Sequence, residues 1–158
     1  MTTPIIQILT GTIGTLGFGI LFNIRQQRMV AATIGGFLSW SIYLLAFRFI
    51  PNEPLCYFIA SLLTALYSEV MARLLKSPTT TFITTALVPL IPGGSLYYTM
   101  AYAFESDLTK FLERAVYTLQ LASALALGII VSSTITKLYF RYKTTGRVTE
   151  NSVGNTKA

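Results

Sequence analysis

Val88-Pro89-Leu90-Ile91-Pro92-Gly93-Gly94-Ser95-Leu96-Tyr97 decides how this chain is read. It lies within an apolar run over residues 81–100, and about 20 mostly apolar residues suffice to cross a bilayer as a helix. Two prolines and two adjacent glycines interrupt that run near its centre. An interior proline removes a helix hydrogen bond and clashes with the preceding turn. Paired glycines then release the backbone. In hydrocarbon, freed N–H and C=O groups persist only where they meet protein or a wet cavity. The pattern predicts a membrane helix broken at Pro89–Gly94, the kind of element that builds binding sites in transporters. A kink that serves packing alone is the other reading of the same residues.

The composition agrees with a membrane setting. Of the 158 residues, 53% are hydrophobic and 11% charged, against about 25% charged in soluble domains. Mean hydropathy is +0.59. There is no histidine and one cysteine, Cys56, so a histidine proton shuttle, an internal disulfide and a cysteine metal cluster are all excluded. No cofactor is expected, and neither is an enzyme, because no nucleophile has a base beside it. The net charge of +6 is spread over helix ends rather than one basic face. It therefore signals topology rather than nucleic-acid binding.

Outward from the break, the chain reads as an all-α polytopic membrane protein. Spans are predicted over about 5–22, 30–50, 55–75, 81–100 and 116–136, with an amphipathic helix over 101–115 and a disordered tail over 144–158. The membrane part, 1–143, forms one domain. Gly11, Thr15 and Gly19 recur every four residues, a stripe that lets helices approach backbone to backbone. With five spans, one side receives Arg25, Arg28, Arg73, Lys76, Lys137, Arg141, Lys143, Arg147 and Lys157, and the other only Arg48, Lys110 and Arg114. Nine basic residues against three place the first set in the cytoplasm. The N-terminus is then outside and the C-terminus inside.

Two constellations carry the candidate chemistry. Glu69 is the one carboxylate within an apolar run, and Arg73 follows at i+4 on the same helix face. A charge in the bilayer is costly and usually faces protein or water. Glu69 is therefore either a coupling group or half of a structural ion pair with Arg73. The second is the break itself: Pro89, Pro92, Gly93, Gly94, Ser95 and Tyr97, with Tyr98 nearby. In the five-span topology the half-helix after Gly94 starts near the midplane, and its free N–H groups suit a carboxylate. The carbonyls ending the first half suit an ammonium.

These residues also carry a resemblance. Phe58-Ile59-Ala60-Ser61, Glu69, Ala72-Arg73, Lys76-Ser77-Pro78, Phe82 and the Val88–Tyr97 run with Met100 resemble the threonine/serine exporter family, its small YjjB-like component in particular. Gly14-Thr15-Leu16-Gly17-Phe18-Gly19, Gly36, Trp40, Tyr43 and Leu125–Ile129 fit as well. The resemblance implies a bacterial inner-membrane exporter of threonine and serine, or of a dicarboxylate such as succinate. It also implies a larger YjjP-like partner subunit, with a hetero-oligomer and possible self-association in the lipid bilayer. A non-transporting assembly subunit is the alternative.

The topology is checked with single cysteines in a Cys56→Ser background. Asn52→Cys is expected to label from outside intact cells with an impermeant reagent, and Thr145→Cys only after lysis. Labelling of Thr145→Cys in intact cells contradicts the orientation.

Overall fold

The structure, a computed structural model, describes residues 4–24 and 26–154, with side chains through Arg141. The described residues form helices and turns and contain no strand. The helices are α1 (Pro4–Leu21), α2 (Gln27–Phe49), α3 (Glu53–Leu74), α4 (Thr79–Ala86), a 3₁₀ turn (Val88–Leu90), α5 (Gly93–Phe104) and α6 (Leu108–Gly154). Among the described residues, four stretches are long and apolar enough to cross a membrane: Pro4–Leu21, Gln27–Phe49, Glu53–Leu74 and Leu108–Arg141.

Local chemistry explains the punctuation. Asn52 opens α3 by accepting the Leu55 N–H at 3.3 Å, and Pro54 sits in the first turn, where its missing N–H costs nothing. The fourth apolar run divides where the prolines and glycines stand. Helix α4 ends at Ala86, Pro89 falls in the 3₁₀ turn, and α5 restarts directly after Pro92.

Two expectations are revised. No separate amphipathic helix forms over 101–115. Residues 101–104 end α5, Ser106 turns the chain at φ 58°, and Asp107 starts α6 by accepting the Lys110 N–H at 3.1 Å. Lys110 also places its ammonium 2.8 Å from Asp107. These hydrogen bonds hold the Asp107 carboxyl below its ordinary value. Nothing between Ala115 and Val116 breaks a helix, so residues 108–115 continue into the long span. The tail expected to be disordered from 144 is helical through Gly154. No proline interrupts it, and residues 155–158 lie outside the described set.

The packing order is set by small residues. A methyl group added at Gly128 of α6 would collide with Ser61 Oγ and lie 2.7 Å from the Phe58 carbonyl and 2.9 Å from the Leu62 N of α3. The two helices therefore touch at backbone level. Gly36 of α2 likewise receives Thr15 of α1, and Gly35 leaves 2.8 Å between an added methyl and Ala86 of α4. The Gly11/Thr15/Gly19 stripe faces Pro89, Gly36 and Met29, which makes it a packing face. Gly14 and Gly17 have no atom near them.

Contacts along α3 and α6 fix their relative direction. Tyr117 bonds Glu53, Gly128 meets Ser61, Ser133 reaches Glu69, and Arg73 covers the Phe140 ring. Residue numbers rise together, so the helices are parallel. Residues 75–107 must then run from the Lys76 end of α3 back to its Glu53 end, and α4, the 3₁₀ turn and α5 make that run. Core residues gather in two clusters. One is around Tyr43, Cys56, Tyr57, Leu90 and Leu121, and the other around Ile24, Ala32, Ala72 and Phe82.

Gly128→Val is expected to lower stability by about 1–3 kcal/mol, the usual cost of overpacking. Gly14→Ala is expected to leave it unchanged or slightly raised, since glycine in a helix costs about 0.8–1 kcal/mol relative to alanine. Thermal unfolding of the purified chain measures both, and equal effects at the two positions contradict the packing.

Candidate functional site

The interrupted segment delivers its second half to one end of the bundle. Eight residues of α4 at about 1.5 Å each and three of 3₁₀ turn at about 2 Å cover more than half the bilayer core. Pro89 sits beside Gly11 and Trp40. The first turn of α5 then lies level with Phe47, Glu53 and Tyr57, on the wall of a cavity of about 580 Å³. The start of α5 therefore stands beside Glu53 and the first turn of α3.

Glu53 is the polar centre of this cavity. The Tyr43 hydroxyl donates to its Oε1 at 3.0 Å, and the Tyr117 hydroxyl donates to its Oε2. The Tyr57 ring packs edge-on against Tyr43 with centroids 5.0 Å apart. Trp40 follows at 4.9 Å from Tyr43. The buried Trp40 Nε1 has no hydrogen-bond partner. Arg114 lines the same cavity, with Gln7, Tyr98 and the backbone from Ile91 to Ser95. Neither Glu53 nor Arg114 takes part in an ion pair among the described residues. The Gly93 N–H turns back to the Ile91 carbonyl at 2.7 Å, the next N–H groups have no acceptor within the helix, and no side chain caps α5. One acid, one base and one helix start therefore share a cavity walled by aromatic rings.

The residues singled out in the sequence separate here. Pro92, Gly93, Gly94 and Ser95 line the cavity, whereas Pro89 packs beneath it against α1. The Ser95 hydroxyl bonds Thr118 Oγ1 at 2.6 Å, and Thr99 reaches the same oxygen at 3.1 Å, tying α5 to α6. Tyr97 is not among the lining residues and is 69% exposed. Added methyl groups at Gly93 and Gly94 would meet nothing within 4 Å, so neither glycine is required for space.

Glu69 lies toward the other end of α3 and does not join the cavity. It is 7% exposed, accepts from Ser133 at 3.5 Å and stands 3.7 Å from Arg73 Nη2. The Arg73 guanidinium lies 3.6 Å over the Phe140 ring. A slightly larger cavity, about 610 Å³, opens at the Lys76 end between Asn23, Arg28, Leu75 and Thr81. No acid lines it, so it lacks the paired charges of the first.

A family model described as Threonine/Serine exporter, ThrE, matches residues 7–135. The chain belongs to the threonine/serine exporter family. No curated protein and no solved structure matches it. The matched stretch contains every residue of the Glu53 cavity, and the family is one of membrane transporters.

Sequence reasoning missed Glu53, Arg114, Tyr43, Tyr57 and Tyr117 as members of this family member's cavity. Glu53 stands between Pro51 and Pro54 and reads as a turn acid. A signal was present: Glu53 and Tyr57 are spaced i,i+4, and Arg114 and Tyr117 i,i+3. Each pair therefore shares a helix face.

Proposed function

We propose that this chain is the small membrane subunit of a two-component exporter that moves carboxylate-bearing metabolites out of the cell. It acts with a larger YjjP-like subunit in the bacterial inner membrane. The N-terminus is outside, residues 79–104 form the broken fourth of five crossings, and the Glu53 cavity opens outward. The observation that carries this reading is the pairing of an acid and a base, each without an ion pair, beside the uncapped start of α5.

That set complements an amino acid. Arg114 and the α5 N–H groups face the substrate carboxylate, and Glu53 faces its ammonium. A second carboxylate, as in succinate, would meet Glu53 as a like charge. Threonine and serine therefore fit this cavity better than a dicarboxylate.

Movement follows from how the helices group. Helices α1, α2, α3, α4 and the 3₁₀ turn pack together, with α6 held on α3, while α5 packs on α6. The cavity lies between α5 and the faces of α2, α3 and α6, and residues 91–94 join α5 to the rest. Gly93 and Gly94 give that joint its freedom. The exposed side of α5 and early α6, with Tyr97, Met100, Phe104, Leu108 and Leu112, is the face offered to the larger subunit.

Export is measured from cells carrying both subunits. Glu53→Gln and Arg114→Gln are each expected to lower threonine efflux by about tenfold or more, the loss of one charge-assisted hydrogen bond. Complex yield should be unchanged. Gly93→Ala with Gly94→Ala is expected to assemble normally and export poorly. Parental efflux by both charge variants contradicts the site.

A further inference from the structure

The end of the bundle opposite Glu53 carries positive charge without an acid. The cavity of about 610 Å³ there is lined by Asn23, Gln26, Gln27 and Arg28 from the α1–α2 connection, and by Leu75 and Thr81 from the α3–α4 connection. Arg28 takes part in no ion pair among the described residues. Lys76, next to Leu75 in the chain, adds a second positive charge at this end.

The connection that carries these groups is anchored. Ile24 is buried with Ala32, Ala72 and Phe82, and the backbone turns through the left-handed region at Asn23 and Gln26, both at φ 54°. Asn23, Gln26, Gln27 and Arg28 stay exposed on the cavity wall. Gln27 opens α2 and Thr81 stands in the first turn of α4, and neither helix has a side-chain cap. An anion in the cavity gains from both positive helix ends.

A second cavity lies along the same face of α2. It holds about 240 Å³ between Leu16, Met29, Val30, Thr33 and Ile34. Its one hydroxyl is committed, since Thr33 donates to the Met29 carbonyl at 2.9 Å. Val30 and Ile34 follow Gln27 by three and seven residues, which puts all three on one side of the helix. Seven residues of helix rise about 10 Å. The groove is thus polar and cationic at its mouth and apolar about 10 Å further along, the division of a lipid into headgroup and chain.

We propose that these two cavities seat one anionic phospholipid, its phosphate against Arg28 and an acyl chain along Leu16, Val30 and Ile34. Basic pockets between spanning helices recognise such headgroups, and a guanidinium matches phosphate oxygens in paired hydrogen bonds. The amides of Asn23, Gln26 and Gln27 suit the hydroxyls of a glycerol headgroup. The ammonium of an ethanolamine headgroup would find no counter-charge, because no acid lines the cavity. Phosphatidylglycerol is therefore preferred over phosphatidylethanolamine. The lipid bridges the α1–α2 and α3–α4 connections. Its site shares no residue with the Glu53 cavity, and its test needs no transport.

The purified full chain is unfolded thermally in a neutral detergent with phosphatidylglycerol, phosphatidylethanolamine or glycerol phosphate at equal concentration. Phosphatidylglycerol is expected to raise the melting temperature by about 3 °C or more, because a ligand that binds only the folded state stabilises it. The other two should raise it by less than half as much. Arg28→Gln should lose half or more of the shift, while Arg48→Gln, at the other end of α2, should keep it. Gln27→Glu sets an acid at a helix start, where folding tolerates it, and should lose the shift as well. The charge test therefore does not depend on one variant folding. No shift with phosphatidylglycerol, or an equal shift from both lipids, overturns the proposal. So does a shift that glycerol phosphate reproduces, which marks a free-phosphate site, or one that survives both Arg28→Gln and Gln27→Glu.

Discussion

The close approach of α6 to α3 at Gly128 governs the rest of the structure. Only hydrogen fits between that Cα and the backbone from Phe58 to Leu62. In lipid, where no hydrophobic force drives helices together, such contact is what association rests on. It makes α3 and α6 parallel neighbours and brings Tyr117 to Glu53 and Ser133 to Glu69. Parallel neighbours need a connection that returns along the bundle. Residues 75–107 supply it, and their helix is broken on the way.

The break sets position as well as giving freedom. Because α4 and the 3₁₀ turn use up the first part of the path, α5 begins beside the carboxylate that opens α3. An uncapped helix start and a carboxylate would repel no ligand that carries both charges, and Arg114 strengthens the anion side. The tyrosines hold Glu53 in place while leaving it without a counter-ion among the described residues. In the proposed function that carboxylate is the group that meets a substrate ammonium.

Much of this was legible before the structure, for identifiable reasons. Long apolar runs and a low share of charged residues point to an all-helical membrane protein. Proline and glycine chemistry is local, so Val88–Tyr97 marks the interruption by itself. The same run, with Glu69 and Lys76-Ser77-Pro78, points to the threonine/serine exporter family. Depth is not local: where α5 starts depends on how many residues α4 and its 3₁₀ turn consume. The partners of Glu53 were equally hidden. Tyr43 and Tyr117 stand 10 and 64 residues away, and only the α3–α6 register joins them. Glu69 stands out by hydropathy, yet its Ser133 partner, 64 residues away, does not.

Trp40 offers the most direct measurement of the central claim, that the Glu53 cavity takes a small amino acid. It is the one tryptophan in the chain, and its buried indole N–H borders the cavity without a partner. Titrating the purified chain with L-threonine or L-serine should change its intrinsic fluorescence saturably. Succinate should not, and Glu53→Gln should abolish the response. No change with either amino acid, or a succinate response that Glu53→Gln leaves intact, would contradict the account.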